Sequence, residues 1–544
     1  MRKSQSRFWL SPLILLLSTT VLNSNAQIAS PEVNLDYATY VGTALDAGVT
    51  QFLGMRFAAP PLGNLRWRAP ADPLVETGGP IQASKHGPIC YNLGVAFDPN
   101  ATTFSDDCLF IDVYTPSHAH SKRSKPLPVW FFIQGGGYVS NSNANYNGTG
   151  VIVESGLNVV VVNFNYRVGA FGFLASERVA KDGQLNAGLL DQRKALFWVR
   201  KHISKFGGDP NHVVIHGVSA GGGSVTHHMT AFGGRDEGLF VGAIGESVFW
   251  PREAPVSQLE FQFDLFAAAA GCSDATDQMA CLRAQNTSTL VAANIAHPFP
   301  GRTTVPNFYY TPTIDGDFIR DNLYNLFRQN KFTPVPLMIG DDDDEGTAFA
   351  ANAQTPEDVI SFLTDNYPQL TADDATTINQ LYPLLPPLPN HAPFFPSAAA
   401  AYGESTFTCP SNFIAGLIGA RKNVWNYRFS VVQPDRAASG LGVDHTSELP
   451  AVFGPPFIPG GNSTTFATTN APIVPVLMNY WISFVRSLNP NTHKFSSAPE
   501  WAEFDSKNQR RIKFVLNDTH VESIPADEDT RCAFWNDIGA RLEQ

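Results

Sequence analysis

Beyond its opening residues the chain lacks any apolar run of the roughly 18 residues a membrane-spanning helix requires. It also lacks a long low-complexity tract and any internal repeat, which excludes fibrous, disordered and solenoid architectures. Charge is sparse at 16% of residues and tilted acidic, 49 Asp and Glu against 37 Lys and Arg, for a net charge of −12. Such a balance repels nucleic-acid phosphates and anionic lipid, so neither is an expected partner. His118/His120 and His227-His228 have no neighbours at metal-ligand spacing, so no metal is expected, and no cofactor. Cysteine is scarce as well, six in 544 residues.

What is present is the composition of a large globular chain, 43% hydrophobic. Residues 1–26 read as a secretory leader. Arg2, Lys3 and Arg7 give a positive start, Phe8 to Leu17 an apolar core, and Ser24-Asn25-Ala26 a small-x-small cleavage site. Its removal takes away three basic residues and no acidic one, moving the charge from −12 to −15. Residues 27–544 are then expected to form a single domain of a secreted protein without stable membrane insertion. All six cysteines lie in this mature part, which fits an oxidising compartment, although spacing alone permits 15 pairings. N-x-S/T sequons at Asn100, Asn147, Asn286, Asn462 and Asn517 are candidate glycosylation sites for the same compartment.

The chemistry concentrates in Phe206 to Val225. Val213 to Ile215 read as the end of a buried strand and run into Gly217-Val218-Ser219-Ala220-Gly221. A turn tight enough to lift one hydroxyl above a sheet edge strains the serine and crowds the positions two before and two after it. A helix starting directly after the turn aims its first amides at the reaction centre. Upstream, Val129 to Ile133 form a continuous apolar run, as for a strand buried on both faces, and Gln134-Gly135-Gly136-Gly137-Tyr138 follow at once. Bare glycine amides at a strand end can approach a reacting atom closely.

Taken together, the run F-G-G-x4-V-x-I-x-G-x-S-A-G from Phe206 to Gly221 resembles the active-serine signature of the type-B carboxylesterase/lipase family, the cholinesterase-like branch of the α/β-hydrolases. Residues 53–70 are similar to the family's N-terminal segment, and 105–116 to its second signature. The resemblance implies an α/β fold with a mostly parallel central sheet, flanking helices, and inserted loops and helices over the active site. It implies the pairs Cys90–Cys108, Cys272–Cys281 and Cys409–Cys532. It also implies Ser219 as nucleophile and Gly136, Gly137 and Ala220 as oxyanion donors.

A serine needs a base to take its proton and an acid to orient that base, in the chain order serine, acid, histidine. An apolar strand-like run, Val335 to Ile339, delivers Asp341-Asp342-Asp343-Asp344-Glu345-Gly346. This resembles the family's G-x-x-x-D-E-G-T/S motif, which makes Glu345 the acid and leaves Asp341 to Asp343 as a solvated run, with no chemistry assigned to Asp344. His445 lies in a segment similar to H-x-x-E-L-x-x-V-F-G and is the implied base. Two departures bear on substrate. Val218 stands where the family usually has glutamate, and the 17-residue loop between Cys90 and Cys108 contains no tryptophan to bind a quaternary ammonium. The expected activity is hydrolysis of small to medium neutral esters through an acyl-enzyme on Ser219. The alternatives are a lipase, sterol-ester hydrolase or acyltransferase of the same family, and, more remotely, a non-catalytic adhesion member.

Overall fold

Alternation along the central strands decides the architecture. In Leu127–Ile133 the side chains of Val129, Phe131 and Ile133 enter one apolar cluster, and those of Trp130 and Phe132 enter a second on the other face. Val160–Phe164 divides the same way, as does the apolar end of Gly208–Val218. Strands buried on both faces must be covered by helices on both faces. The computed structural model describes residues 1, 31–120, 125–141, 146–461, 464–505 and 507–544. The expected leader after Met1 and the sequon at Asn462 lie outside them.

Among the described residues one sheet has eleven strands. In chain order these are β1 (Thr43–Ala44), β2 (Val49–Arg56), β3 (Phe110–Pro116), β4 (Leu127–Ile133), β5 (Val160–Phe164), β6 (Gly208–Val218), β7 (Gly242–Glu246), β8 (Leu337–Asp342), β9 (Val424–Phe429), β10 (Arg510–Phe514) and β11 (His520–Ser523). Across the sheet they run β11-β10-β9-β8-β7-β6-β4-β5-β3-β2-β1. From β10 to β5 every pairing is parallel, and the antiparallel strands sit at the two margins. The mostly parallel sheet anticipated from the sequence is the one the chain forms.

On one face lie α1 (Ala187–His202) and α2 (Ala220–Gly234), contributing Leu189, Leu196, Val199, Val225 and Met229 to the first cluster. The opposite face is covered by α4 (Ile473–Ser487) through Leu477, Trp481 and Phe484. The proline-rich stretch before α3 (Phe395–Gly403) is irregular, as its composition dictates. No helix among the described residues is long and apolar enough to cross a membrane. Disulfides join Cys90 to Cys108, Cys272 to Cys281, and Cys409 to Cys532 on α5 (Ala526–Ile538). The Asn100, Asn286 and Asn517 side chains are exposed and Asn147 is half-buried.

The disulfides should differ in worth, because loop-closure entropy grows with the loop. Cys409–Cys532 closes a separation of 123 residues and Cys272–Cys281 only 9. Replacing the first pair by serine should cost about 4–5 kcal/mol and the second about 2–3 kcal/mol, read from urea unfolding of each double variant.

Candidate active site

Ser219 sits alone between the last residue of β6 and the first of α2, at φ 57° and ψ −125°. Residues other than glycine avoid such a conformation, so the surroundings must impose it. Three backbone bonds do so. The Ser219 amide donates to the Glu246 carbonyl of β7 (2.9 Å), and the Ser219 carbonyl accepts from the amides of Gly223 (2.9 Å) and Phe249 (3.2 Å). The flanking glycines follow from crowding. A Cβ on Gly217 would lie 2.1 Å from the Gly221 carbonyl oxygen, and one on Gly221 would lie 2.0 Å from the Ile133 carbonyl oxygen of β4.

Next to this turn, β4 runs out into the glycine loop, where Gly136, Gly137 and Tyr138 all have positive φ. A Cβ on Gly135 would come within 2.9 Å of the Ser219 Cβ, so the loop passes in contact with the serine. The amides of Gly136 and Gly137 find no protein acceptor among the described residues. The Ala220 amide opens α2, where first-turn N–H groups have no intrahelical partner. Three amides are thus left without a protein acceptor among the described residues.

From the other side, β8 ends at Asp342 and a 3-10 turn begins at Glu345. The buried Glu345 carboxylate accepts the Asp342 amide on Oε1 (2.8 Å) and contacts His445 Nδ1 through Oε2 (2.5 Å). That contact puts the donating hydrogen on Nδ1. The opposite nitrogen, Nε2, is buried with no partner among the described residues. Phe349 and Phe407 pack against the imidazole, with ring centroids at 5.0 and 4.5 Å. Phe407 stacks in turn on Phe249 (5.6 Å), whose amide holds the Ser219 carbonyl. One aromatic step therefore links the histidine to the serine turn.

The acidic run is not the solvated stretch its composition suggested. Asp343 is exposed, but Asp341 and Asp342 are buried because β8 carries them into the sheet. Asp341 pairs with Arg428 of β9 (2.9 Å), and Asp342 accepts the Ser447 amide (3.1 Å). Asp344 accepts the Val443 amide (2.8 Å) and so fastens the histidine segment to the acid turn. Of the adjacent histidines on α2, His227 faces Glu253 (2.7 Å) and His228 faces Gln192 (3.0 Å), all in the interior. Val218 packs into the second apolar cluster. Trp250 belongs to the core and stacks on Phe327, and Phe249 is buried beside it with its amide on the Ser219 carbonyl.

The sequence profile of the Carboxylesterase family matches residues 29–535. The chain belongs to the carboxylesterase family. It is similar to Lipase 2 of Geotrichum candidum, with 29% identity covering 93% of this chain and 95% of that one. Secreted lipase 1 of Botryotinia fuckeliana is 32% identical over 91% of this chain and 93% of its own. The crystal structure of Aspergillus niger EstA superposes with a TM-score of 0.92 at 50% identity, covering 95% of this chain and 99% of EstA. This carboxylesterase has the α/β-hydrolase fold and is a carboxylic ester hydrolase.

Gly217→Ala in this carboxylesterase would place a methyl where the Gly221 carbonyl now lies, displacing Ser219. Steady-state kinetics on a soluble ester should show kcat/KM reduced by about 100-fold or more.

Proposed function

We propose that Ser219 is the nucleophile, His445 the general base and Glu345 the acid that orients it. The observation that carries the reading is the His445 ring, held by Glu345 through Nδ1 while Nε2 stays buried and unpartnered among the described residues, with Phe407 and Phe249 packed in sequence between the ring and the Ser219 turn. In this scheme Nε2 takes the Ser219 proton as Oγ attacks the ester carbonyl, and Glu345 stabilises the imidazolium. The amides of Gly136, Gly137 and Ala220 bind the oxyanion, each worth about 3 kcal/mol. The alcohol leaves with the proton from His445. Water then enters, is activated by the same nitrogen, and releases the acid. No cofactor takes part.

The substrates are small to medium neutral esters. Phe249, Phe308, Phe349 and Phe407 form a connected aromatic wall next to the histidine, with successive centroids at 4.6, 5.7 and 5.6 Å. Phe308 also closes against Gly137. Such a wall suits an apolar group of limited length, and the short Cys90–Cys108 loop is too small for a large lid. The lipase reading has its own support in the relatives named as lipases. Secretion agrees with the secreted relative and the three disulfides. One α/β-hydrolase domain spanning 27–544 carries the activity.

Ser219→Ala should lower kcat by about three orders of magnitude or more while the thermal midpoint stays within a few degrees of the parent. A fluorophosphonate should label the parent on Ser219 and leave the variant unlabelled; labelling elsewhere would remove Ser219 from this role. Rates on nitrophenyl esters of rising chain length should peak at short to medium acyl groups, and a long-chain optimum would favour the lipase.

A further inference from the structure

Behind the Glu345–His445 contact two fully buried carboxyls face each other. Asp342 lies three residues before Glu345, and Glu448 three residues after His445, so each belongs to one arm of that contact. Asp342 Oδ2 accepts the Ser447 amide (3.1 Å), and Glu448 Oε1 accepts the Tyr427 hydroxyl (3.1 Å). The remaining oxygens, Asp342 Oδ1 and Glu448 Oε2, have no donor among the described residues, and the two side chains are within hydrogen-bond reach. Two carboxylates touching in a dry interior need a proton between them.

We propose that Asp342 and Glu448 share one proton and so form a clasp between the acid arm and the base arm, which releases when alkaline pH strips that proton. The proposal rests on the roles given above to Glu345 and His445.

The surroundings favour the proton. Facing the pair are Glu345 on the turn, Tyr427 on β9, Asp444 on the histidine segment, and Glu246 on β7. Glu246 is backed by His216 of β6 (3.0 Å). The nearby cations are engaged elsewhere: Arg428 with Asp341 and Glu528, and Arg436 with Asp444. Arg428 reaches only the Asp342 carbonyl (3.2 Å). Burial, followed by Glu246 and Glu345, pushes the Glu448 carboxyl up to about 8. Burial, followed by Glu448 and Glu345, pushes Asp342 well above the usual carboxylate range. A carboxyl raised on folding contributes stability that is complete below its unfolded value and lost as pH climbs through its folded one. The stability contributed by the clasp therefore declines as pH rises out of the usual carboxylate range and is gone by about pH 8, where the folded clasp itself gives up its proton.

The test compares kcat/KM and thermal midpoint across about pH 6–10 for the parent, Asp342→Asn and Glu448→Gln. Either amide can donate to the remaining carboxylate without a titrating proton. The alkaline limb of both curves should therefore move up by about one pH unit or more in each variant. Unmoved limbs in both variants would overturn the shared proton, and a moved stability limb with a fixed activity limb would overturn its link to His445 and Glu345. A merely structural role would lower the midpoint at every pH without moving the limb. Should the variants not fold, infrared titration of the parent decides: a protonated-carboxyl band must disappear at about pH 8 and above, where the folded clasp gives up its proton, and a band that never changes refutes the clasp. Ser219→Ala should keep the stability limb, so the clasp is tested whether or not Ser219 is the nucleophile.

Discussion

The active-site half of the molecule depends on one steric fact, the meeting of three backbones at a point with no room for a side chain. The Ile133 carbonyl of β4, the turn after β6 and the first turn of α2 come so close that Cβ atoms at 217 and 221 would lie about 2 Å from carbonyl oxygens. Parallel pairing of β6 with both β4 and β7 sets that distance. The strain at Ser219 is then a consequence of the sheet, offset by the large apolar burial on its two faces. The same proximity lays the glycine loop against the serine, so a single constraint arranges both the hydroxyl and the amides around it.

This part was legible in the sequence because its signals are local. Two glycines at fixed offsets from a serine, a β-branched run before them and a glycine run after another apolar strand each describe one segment, and each segment met its neighbour through ordinary strand pairing. The burial of Asp341 and Asp342 was not legible. Five consecutive acids read as solvated unless their partners are known, and those partners lie far along the chain, Arg428 and Ser447. The end of β8 gave no warning, since the sequence pattern closed the strand at Ile339 whereas pairing with β9 continues through Asp342. The aromatic wall was hidden for a similar reason. Phe249, Phe308 and Phe407 come from three separate segments, and only tertiary packing makes them neighbours.

Beneath the site, burial keeps charge down. Trp130 Nε1 donates to His216 Nδ1 (2.8 Å), and His216 Nε2 lies 3.0 Å from Glu246 without a hydrogen bond to it. Burial lowers His216 to about 3 and raises Glu246 to about 8, so near neutrality this contact joins two uncharged groups and is no ion pair. Arg428 is the exception, kept charged by Asp341 and Glu528 on either side.

The acidic run also explains how a histidine on an irregular segment is held as firmly as one on a strand. Thr446, just after it, has φ 67°, a costly conformation for a β-branched residue, so the segment does not adopt its shape unaided. Asp344 takes the Val443 amide and Asp342 the Ser447 amide, gripping the backbone two residues before and two residues after His445. Glu345 takes the ring itself. Two bonds to backbone amides and one to the imidazole, all from one short stretch, define both the path of the segment and the orientation of the ring. A run that reads as simple surface charge is in this fold the template against which the base is set, with Asp343 alone turned to solvent.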